Sequence, residues 1–305
     1  MTQAAAALGG RLAELGAKVE ARLPELLPPH REGAPPVREA MHYALTGRGK
    51  RLRPILTLVV AEICGSRFSQ APPPVVDLGC AVEMVHACSL IFDDLPAQDD
   101  AEMRRGRPTV HKVYGEDMAQ LAGLGLLSRA YAVVAECGQR LPLKRYSSED
   151  MVHHLAAAIG TAGLIAGQAL DLRSDPAELD LERLETIHSQ KTGALFIAAG
   201  ELGAMAADAR RRDLDAITRY AKNLGLAFQI TDDLLDVTAT SDQIGKDADQ
   251  DRDKVTFVKL LGVEGARTLA EELLDFAIVS LDRASFARRA EPLRQIARFV
   301  RRRST

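Results

Sequence analysis

Residues 83–111 read EMVHACSLIFDDLPAQDDAEMRRGRPTVH. A mostly apolar run ends in Asp93-Asp94; beyond Leu95-Pro96 stand Asp99 and Asp100, then Arg104, Arg105 and Arg107. An apolar run must be buried, and this one has to deliver four carboxylates at its end. Clustered carboxylates repel one another unless positive charge sits among them. A hard divalent cation suits them, since Mg²⁺ is held by one or two carboxylates plus substrate phosphates. The arginines that follow match phosphate oxygens with their guanidinium forks. A solvated acidic loop with a basic neighbour would explain this stretch alone; a second acidic motif downstream shifts the balance.

That second motif lies in GLAFQITDDLLDV, within a helix expected over 213–238. Gln229, Asp232 and Asp236 fall on one helix face at spacings of three and four. Phe228, Ile230, Leu234 and Leu235 surround them, so two apolar helices each end in acid, and a metal cluster shared between them is expected. On the first helix, expected over 75–95, Ser89 and His86 share the face of Asp93. Asp99 is off that face, and Pro96 calls for a bend that returns it to the metal.

The remaining patterns are helical too: alanine and leucine abound, aromatics make up 4%, and alternating β-branched runs are nearly absent. The reading is all-α, with helices over 8–27, 37–46, 117–138, 150–172 and 178–206 and two closing helices within 263–302. The basic octet GRGKRLRP, 47–54, leads into an apolar helix from Pro54. Lys50 and Arg53, three apart, are expected on one side of a helical turn, where cations and free N–H groups favour an anion. Gly160, Gly163 and Gly167 suggest close helix approach, with Gln168 and Asp171 as cavity-lining candidates. Lys191-Thr192-Gly193, set in an apolar helical pattern, suggests a cavity-facing kink. The loop 242–257 adds Lys246 and Lys254.

A chain of 305 residues, 47% hydrophobic, supports a sizeable core, and a net charge of −3 gives nucleic-acid binding no support. Cys64, Cys80, Cys88 and Cys137 lie far apart, as expected of a reducing compartment, here the cytoplasm. No stretch reads as long and apolar enough to span a membrane. No GxxxxGK[ST] occurs, and no Ser–His–Asp or Cys–His arrangement stands out. Carboxylates, cations and apolar helices together suit a diphosphate with an apolar tail, and loss of diphosphate rather than phosphoryl transfer.

GKRLRP at 49–54, DDLPAQD at 93–99, RRGRPT at 104–109, GLIAGQALDL at 163–172, KTG at 191–193, FQITDDLLD at 228–236 and GKD at 245–247 run in one order across the chain. In this it resembles the trans-isoprenyl diphosphate synthases, or polyprenyl synthetases, and within them the bacterial carotenoid-type geranylgeranyl diphosphate synthases. The resemblance implies an all-α isoprenoid-synthase fold, a single domain over 1–305, and a homodimer. It implies Mg²⁺, with Mn²⁺ as a substitute, held by Asp93, Asp99, Asp232 and Asp236 on an allylic diphosphate, with Asp94 and Asp233 among the catalytic acids. Arg104, Lys191, Thr192, Gln229, Lys246 and Lys254 would contact that substrate. Lys50, Arg53, His86 and Arg105 would hold isopentenyl diphosphate.

The resemblance also assigns Ser89 and Cys88, four and five residues before Asp93, to the floor of the tail pocket. Cysteine is small where short-chain relatives carry tyrosine, so a geranylgeranyl product is expected; farnesyl or longer products are the alternatives. Leu124 and Phe92 stand where many relatives have Asp and His. A non-catalytic synthase subunit would have lost one aspartate motif, and a terpene cyclase has no use for Lys50, Arg53 and Arg105. A plain metal scaffold leaves the interior lysines unexplained.

Overall fold

The computed structural model describes residues 3–29, 35–47, 49–65, 70–238 and 255–302. It is a helical bundle. In chain order the helices are α1 (Gln3–Arg22), α2 (Pro35–Leu45), α3 (Leu52–Cys64), α4 (Pro73–Asp93), α5 (Val110–Tyr114), α6 (Glu116–Arg140) and α7 (Ser148–Ile159). They continue as α8 (Leu164–Arg173), α9 (Leu181–His188), α10 (Ala194–Ala206), α11 (Arg211–Thr238), α12 (Phe257–Ser280) and α13 (Glu291–Arg301). The only strands among the described residues are β1 (Met103–Arg104) and β2 (Arg107–Pro108), a hairpin that the all-α reading did not anticipate.

α10 is the hub, packed against α3, α4, α7 and α11, while α4 lies between α3 and α6. Its sequence explains the position: Leu195, Phe196, Ala198, Ala199, Leu202, Ala204 and Met205 are buried over most of the helix surface, leaving only the half-buried face of Ala194, Ile197 and Glu201. Thr57 of α3 donates its hydroxyl to the carbonyl of Ala199 at 2.9 Å, which marks how closely the two helices approach. α11 is amphipathic. Leu226, Ile230 and Leu234 recur every four residues and join Leu184, Phe257, Val258, Ala266 and Ala270 in a second core between α9, α11 and α12. This packing leaves Gln229, Asp232 and Asp236 off the buried stripe.

Four expectations need correction. The helix expected over 150–172 breaks at Gly160–Gly163, because two poor helix formers fall within four residues. The run expected from 178 starts at Leu181, capped by the Asp180 carboxylate on the Arg183 N–H. The helix after the basic octet starts at Leu52, because Arg51 adopts φ 47, ψ 32 and ends any continuous turn from Lys50 to Arg53. Finally, Pro73–Asp93, Glu116–Arg140 and the run Ser148–Arg173 are long and apolar enough to cross a membrane by length and composition. In the bundle, 72% of the first of these is buried. Its two interior acids are neutralised by protein: Asp77 by Arg22 and Arg140, Glu83 by Arg51.

Candidate active site

The basic side of the site is organised by Arg51. It is buried, and its guanidinium bonds Glu83 of α4 at 2.5 Å and the carbonyls of Leu45 and Gly47 at 2.8 and 2.6 Å. Arg51 is therefore an anchor, and its left-handed backbone swings the chain so that Arg53 enters the bundle while Lys50 stays exposed. Neither Arg51 nor Glu83 was read as functional from sequence, although a lone glutamate inside an apolar run was the available signal.

Arg53 lies with its guanidinium 4.5 Å from the ring centre of Phe196 and its Nη1 3.5 Å from His86 Nε2. From the other side, Arg105 Nη2 comes to 3.4 Å of the same nitrogen. Burial lowers the Arg53 pKa to about 10, against the opposing pull of Glu83 and Asp232. Burial, then Arg53, Arg105, Arg104 and Arg51, hold His86 well below its ordinary value, so it is neutral at pH 7. A neutral imidazole can accept a guanidinium proton, which is how the two arginines tolerate each other across it. Arg53 Nε is buried without a partner among the described residues. Gly49 completes this corner: a side chain there would place its Cβ 2.8 Å from Arg105 Nη1.

The first aspartate loop folds back as the proline required. The Asp99 N–H donates to the Asp93 carbonyl at 2.9 Å, and the Ala101 N–H to that of Asp94 at 3.2 Å. Asp94 turns inward and takes Arg104 at 2.6 Å; burial raises it to about 6 despite that partner. Asp93 and Asp99 remain half-buried at the rim. Gln98, not singled out in the sequence, accepts from Gln168 of α8 at 2.5 Å and ties the loop across the mouth.

The kink at Lys191 is a π-helical turn, Ser189–Gly193, and α8 lies directly on it. At Gly167 a Cβ would sit 2.2 Å from the Lys191 backbone nitrogen, so only glycine permits the approach. Lys191 Nζ reaches Asp171 at 2.5 Å. Thr192 donates to Gln229 Oε1 at 3.0 Å, and Gln229 Nε2 donates to Asp233 at 3.0 Å. Asp233 also accepts the Phe257 N–H at 3.1 Å. Burial raises it to about 6, with Gln229 opposing. Asp233 thus fixes the Gln229 amide and the start of α12, while Asp232 is half-buried and Asp236 exposed. Lys246 and Lys254 lie outside the described residues.

Arg53 interacts with a residue from each acidic helix. Its guanidinium touches His86 of α4, two helical turns before Asp93, and feels the charge of Asp232 on α11. Phe196 and Phe228, rings 5.3 Å apart, fill the space on that side. Among the described residues no three His, Cys, Asp or Glu side chains group closely enough to hold a metal by themselves. All the candidate donors are carboxylates, which fits a hard cation whose shell is completed by phosphate oxygens and water. On α4, Ser89 donates to the His86 carbonyl at 2.9 Å, and Cys88 is buried, its thiol pushed up to about 12 by burial and Asp93.

Residues 34–283 match the polyprenyl synthetase family. The chain belongs to that family. The fold is accordingly the all-α isoprenoid-synthase fold, as the motifs had implied. It is 44% identical over 244 residues to geranylgeranyl pyrophosphate synthase 9, chloroplastic, of Arabidopsis thaliana, an alignment covering 78% of this chain and 66% of that protein. The chain spans about two thirds of that relative's length. Among solved structures, an apo FPP/GFPP synthase from Zymomonas mobilis superposes with a TM-score of 0.82 at 33% identity, covering 97% of this chain and 99% of the other. A geranyltransferase from Helicobacter pylori, complexed with magnesium and isoprenyl diphosphate, gives 0.81 at 29% identity over 95% of this chain and 94% of its own.

Proposed function

We propose that this polyprenyl synthetase condenses isopentenyl diphosphate with an allylic diphosphate, head to tail, to give geranylgeranyl diphosphate. The observation that carries the reading is Arg53: a half-buried guanidinium beside His86, which Arg105 also approaches, and within reach of the charge of Asp232. Two anion sites of different kind therefore face one interior. At the first, Arg53, Arg105, neutral His86 and, from the rim, Lys50 take the isopentenyl diphosphate. At the second, Asp93, Asp99, Asp232 and Asp236 would hold Mg²⁺ on the allylic diphosphate, and carboxylate donors accept Mn²⁺ equally. Bound there, the metal neutralises diphosphate charge and draws electrons from the bridging oxygen, easing its departure.

The chain's own part is positioning. Lys191 is held by Asp171 and Arg104 by Asp94, so each is aimed before substrate arrives and shares its charge with the diphosphate afterwards. Thr192 and Gln229, fixed by Asp233, keep one orientation. Loss of diphosphate leaves an allylic cation; the isopentenyl double bond attacks it, and a proton is then lost to the released diphosphate. The apolar walls exclude water that would otherwise capture the cation.

Exposed Val113, Leu121 and Leu124 on α5 and α6 support assembly as a homodimer through that face. Four free cysteines accord with a reducing compartment, and the cytoplasm is the proposed location. Incubating the protein with Mg²⁺, isopentenyl diphosphate and farnesyl diphosphate, then sizing the products, tests the reading. A twenty-carbon diphosphate is expected; no condensation, or a cyclised product, would overturn it.

A further inference from the structure

Arg104 and Arg105 are carried by a hairpin of two residues per strand, Met103–Arg104 against Arg107–Pro108. Its turn places Arg105 at φ 55 and Gly106 at φ 75, the two left-handed residues that a tight hairpin requires. So small a hairpin is not stable by itself. Beneath it, a small crevice of about 50 Å³ lies between it and Ala87, Leu90 and Ile91 of α4. Its position must come from ties at its edges.

Thr109 closes the base, donating its N–H to Glu102 O at 2.9 Å and its hydroxyl to Ala101 O at 2.8 Å. Asp94 holds Arg104. The third tie comes from a different element. Tyr43 of α2 donates its hydroxyl to the Pro108 carbonyl at 2.8 Å, and its ring lies 3.9 Å from the Arg107 guanidinium carbon. Tyr114 of α5 braces that ring edge-on at 5.6 Å. Tyr43 therefore grips both residues of the second strand. Arg107 pairs with Arg104, and Arg105 is one residue into the turn between them, reaching His86 at 3.4 Å.

We propose that Tyr43, acting through Arg107 and Pro108, is the positioning residue that sets Arg105 over His86 and thereby the affinity for the homoallylic diphosphate. This rests on the reading that Arg53, His86 and Arg105 hold isopentenyl diphosphate. Tyr43 touches none of the reacting groups; it fixes the lever that carries one of them. Loss of the clamp widens the distribution of Arg105 positions and leaves the aspartate motifs where they are.

The test is steady-state kinetics on the full chain, varying each substrate separately, for Tyr43→Ala, Tyr43→Phe, Arg107→Gln and Arg105→Gln, with melting temperatures alongside. Tyr43→Ala should raise KM for isopentenyl diphosphate about tenfold, equivalent to about 1.4 kcal/mol, and leave KM for farnesyl diphosphate within about twofold. Tyr43→Phe, which keeps the ring under Arg107, should restore much of that loss. Arg107→Gln should resemble Tyr43→Ala without depending on how α2 folds. If Arg105→Gln leaves the isopentenyl KM unchanged, the assignment of the site fails and the clamp falls with it. If Arg105→Gln raises that KM while Tyr43→Ala and Arg107→Gln do not, or move both substrates' KM equally, the clamp alone is overturned.

Discussion

Replacing Glu83 with glutamine tests whether an interior ion pair holds the entry to the basic site. Arg51 and Glu83 are 4% and 2% exposed, and their 2.5 Å contact joins the loop before α3 to the middle of α4. Removing one partner of a buried pair costs about 3–5 kcal/mol, because the other charge stays buried and uncompensated. Two features place this case near the lower limit: glutamine keeps an acceptor, and Glu20 stands 3.5 Å from Arg51 Nε. A loss of about 3 kcal/mol lowers the melting temperature by roughly 5 °C for a chain of this length. Circular dichroism during heating and urea titration would measure it. The double substitution Arg51→Met with Glu83→Leu removes both charges and should recover most of the loss. A Glu83→Gln protein within about 1 kcal/mol of the parent, or a double variant no better than either single one, would refute the reasoning.

Gly167→Ala sets a methyl group against the Lys191 backbone, should cost about 1–3 kcal/mol by overpacking, and should lower kcat at least about tenfold by displacing the π turn; an unchanged kcat would show that the turn's position does not matter. Cys88→Tyr should move the main product from twenty to fifteen carbons, read by chromatography of the dephosphorylated alcohols, and an unchanged product length would reject the assigned role. His154 of α7 bonds Glu201 of α10 at 2.9 Å, and Thr218 of α11 donates to the same carboxylate at 2.7 Å. Its pKa is raised above 6.5 by that bond and by the charges of Glu201 and Asp150, opposed by burial and Arg211. The contribution is therefore complete below about pH 6.5 and lost as pH rises through the folded value. Wild type should lose roughly 1 kcal/mol on that rise, a charge-assisted bond discounted for partial exposure, and His154→Gln should flatten the profile in pH-dependent unfolding.

What could be read from sequence was whatever a local pattern encodes. Apolar periodicity and proline stops gave the helices, and spacings of three and four put Gln229, Asp232 and Asp236 together. Pro96 implied the fold-back of Asp99, and a lysine and glycine within an apolar helix implied the bend at 189–193. The misses have tertiary causes. The Arg51–Glu83 pair spans 32 residues, and no local rule couples its ends. Strands of two residues carry no alternation, so the hairpin under Arg105 left only Gly106 as a hint. Tyr43 looked like any partly apolar residue on a short helix. Gly160 and Gly163 were read as packing glycines because a helix break and a close approach use the same residue. Lys50 and Arg53 were placed on one turn because spacing alone cannot reveal a left-handed residue between them.

The pairing of the cations divides the interior by chemistry. Lys191, Arg104 and Arg51 each bond a carboxylate, whereas Arg53 and Arg105 bond only the neutral ring of His86 among the described residues. Desolvating a guanidinium whose bonded partner is a neutral ring costs free energy in the empty protein, and the lowered Arg53 pKa is the sign that Glu83 and Asp232 offset only part of that cost. A diphosphate entering there relieves it directly and needs no metal to do so. Asp93, Asp99, Asp232 and Asp236 are carboxylates, the donor type that suits a hard cation. The same phosphate chemistry is thus received twice on different terms. On the proposed reading, the homoallylic substrate would meet guanidinium groups bonded only to a neutral ring, and the allylic substrate would bring its metal with it. On that reading, the asymmetry would favour departure of the diphosphate held at the aspartates, and it is set by which arginines the fold pairs with aspartate or glutamate and which it does not.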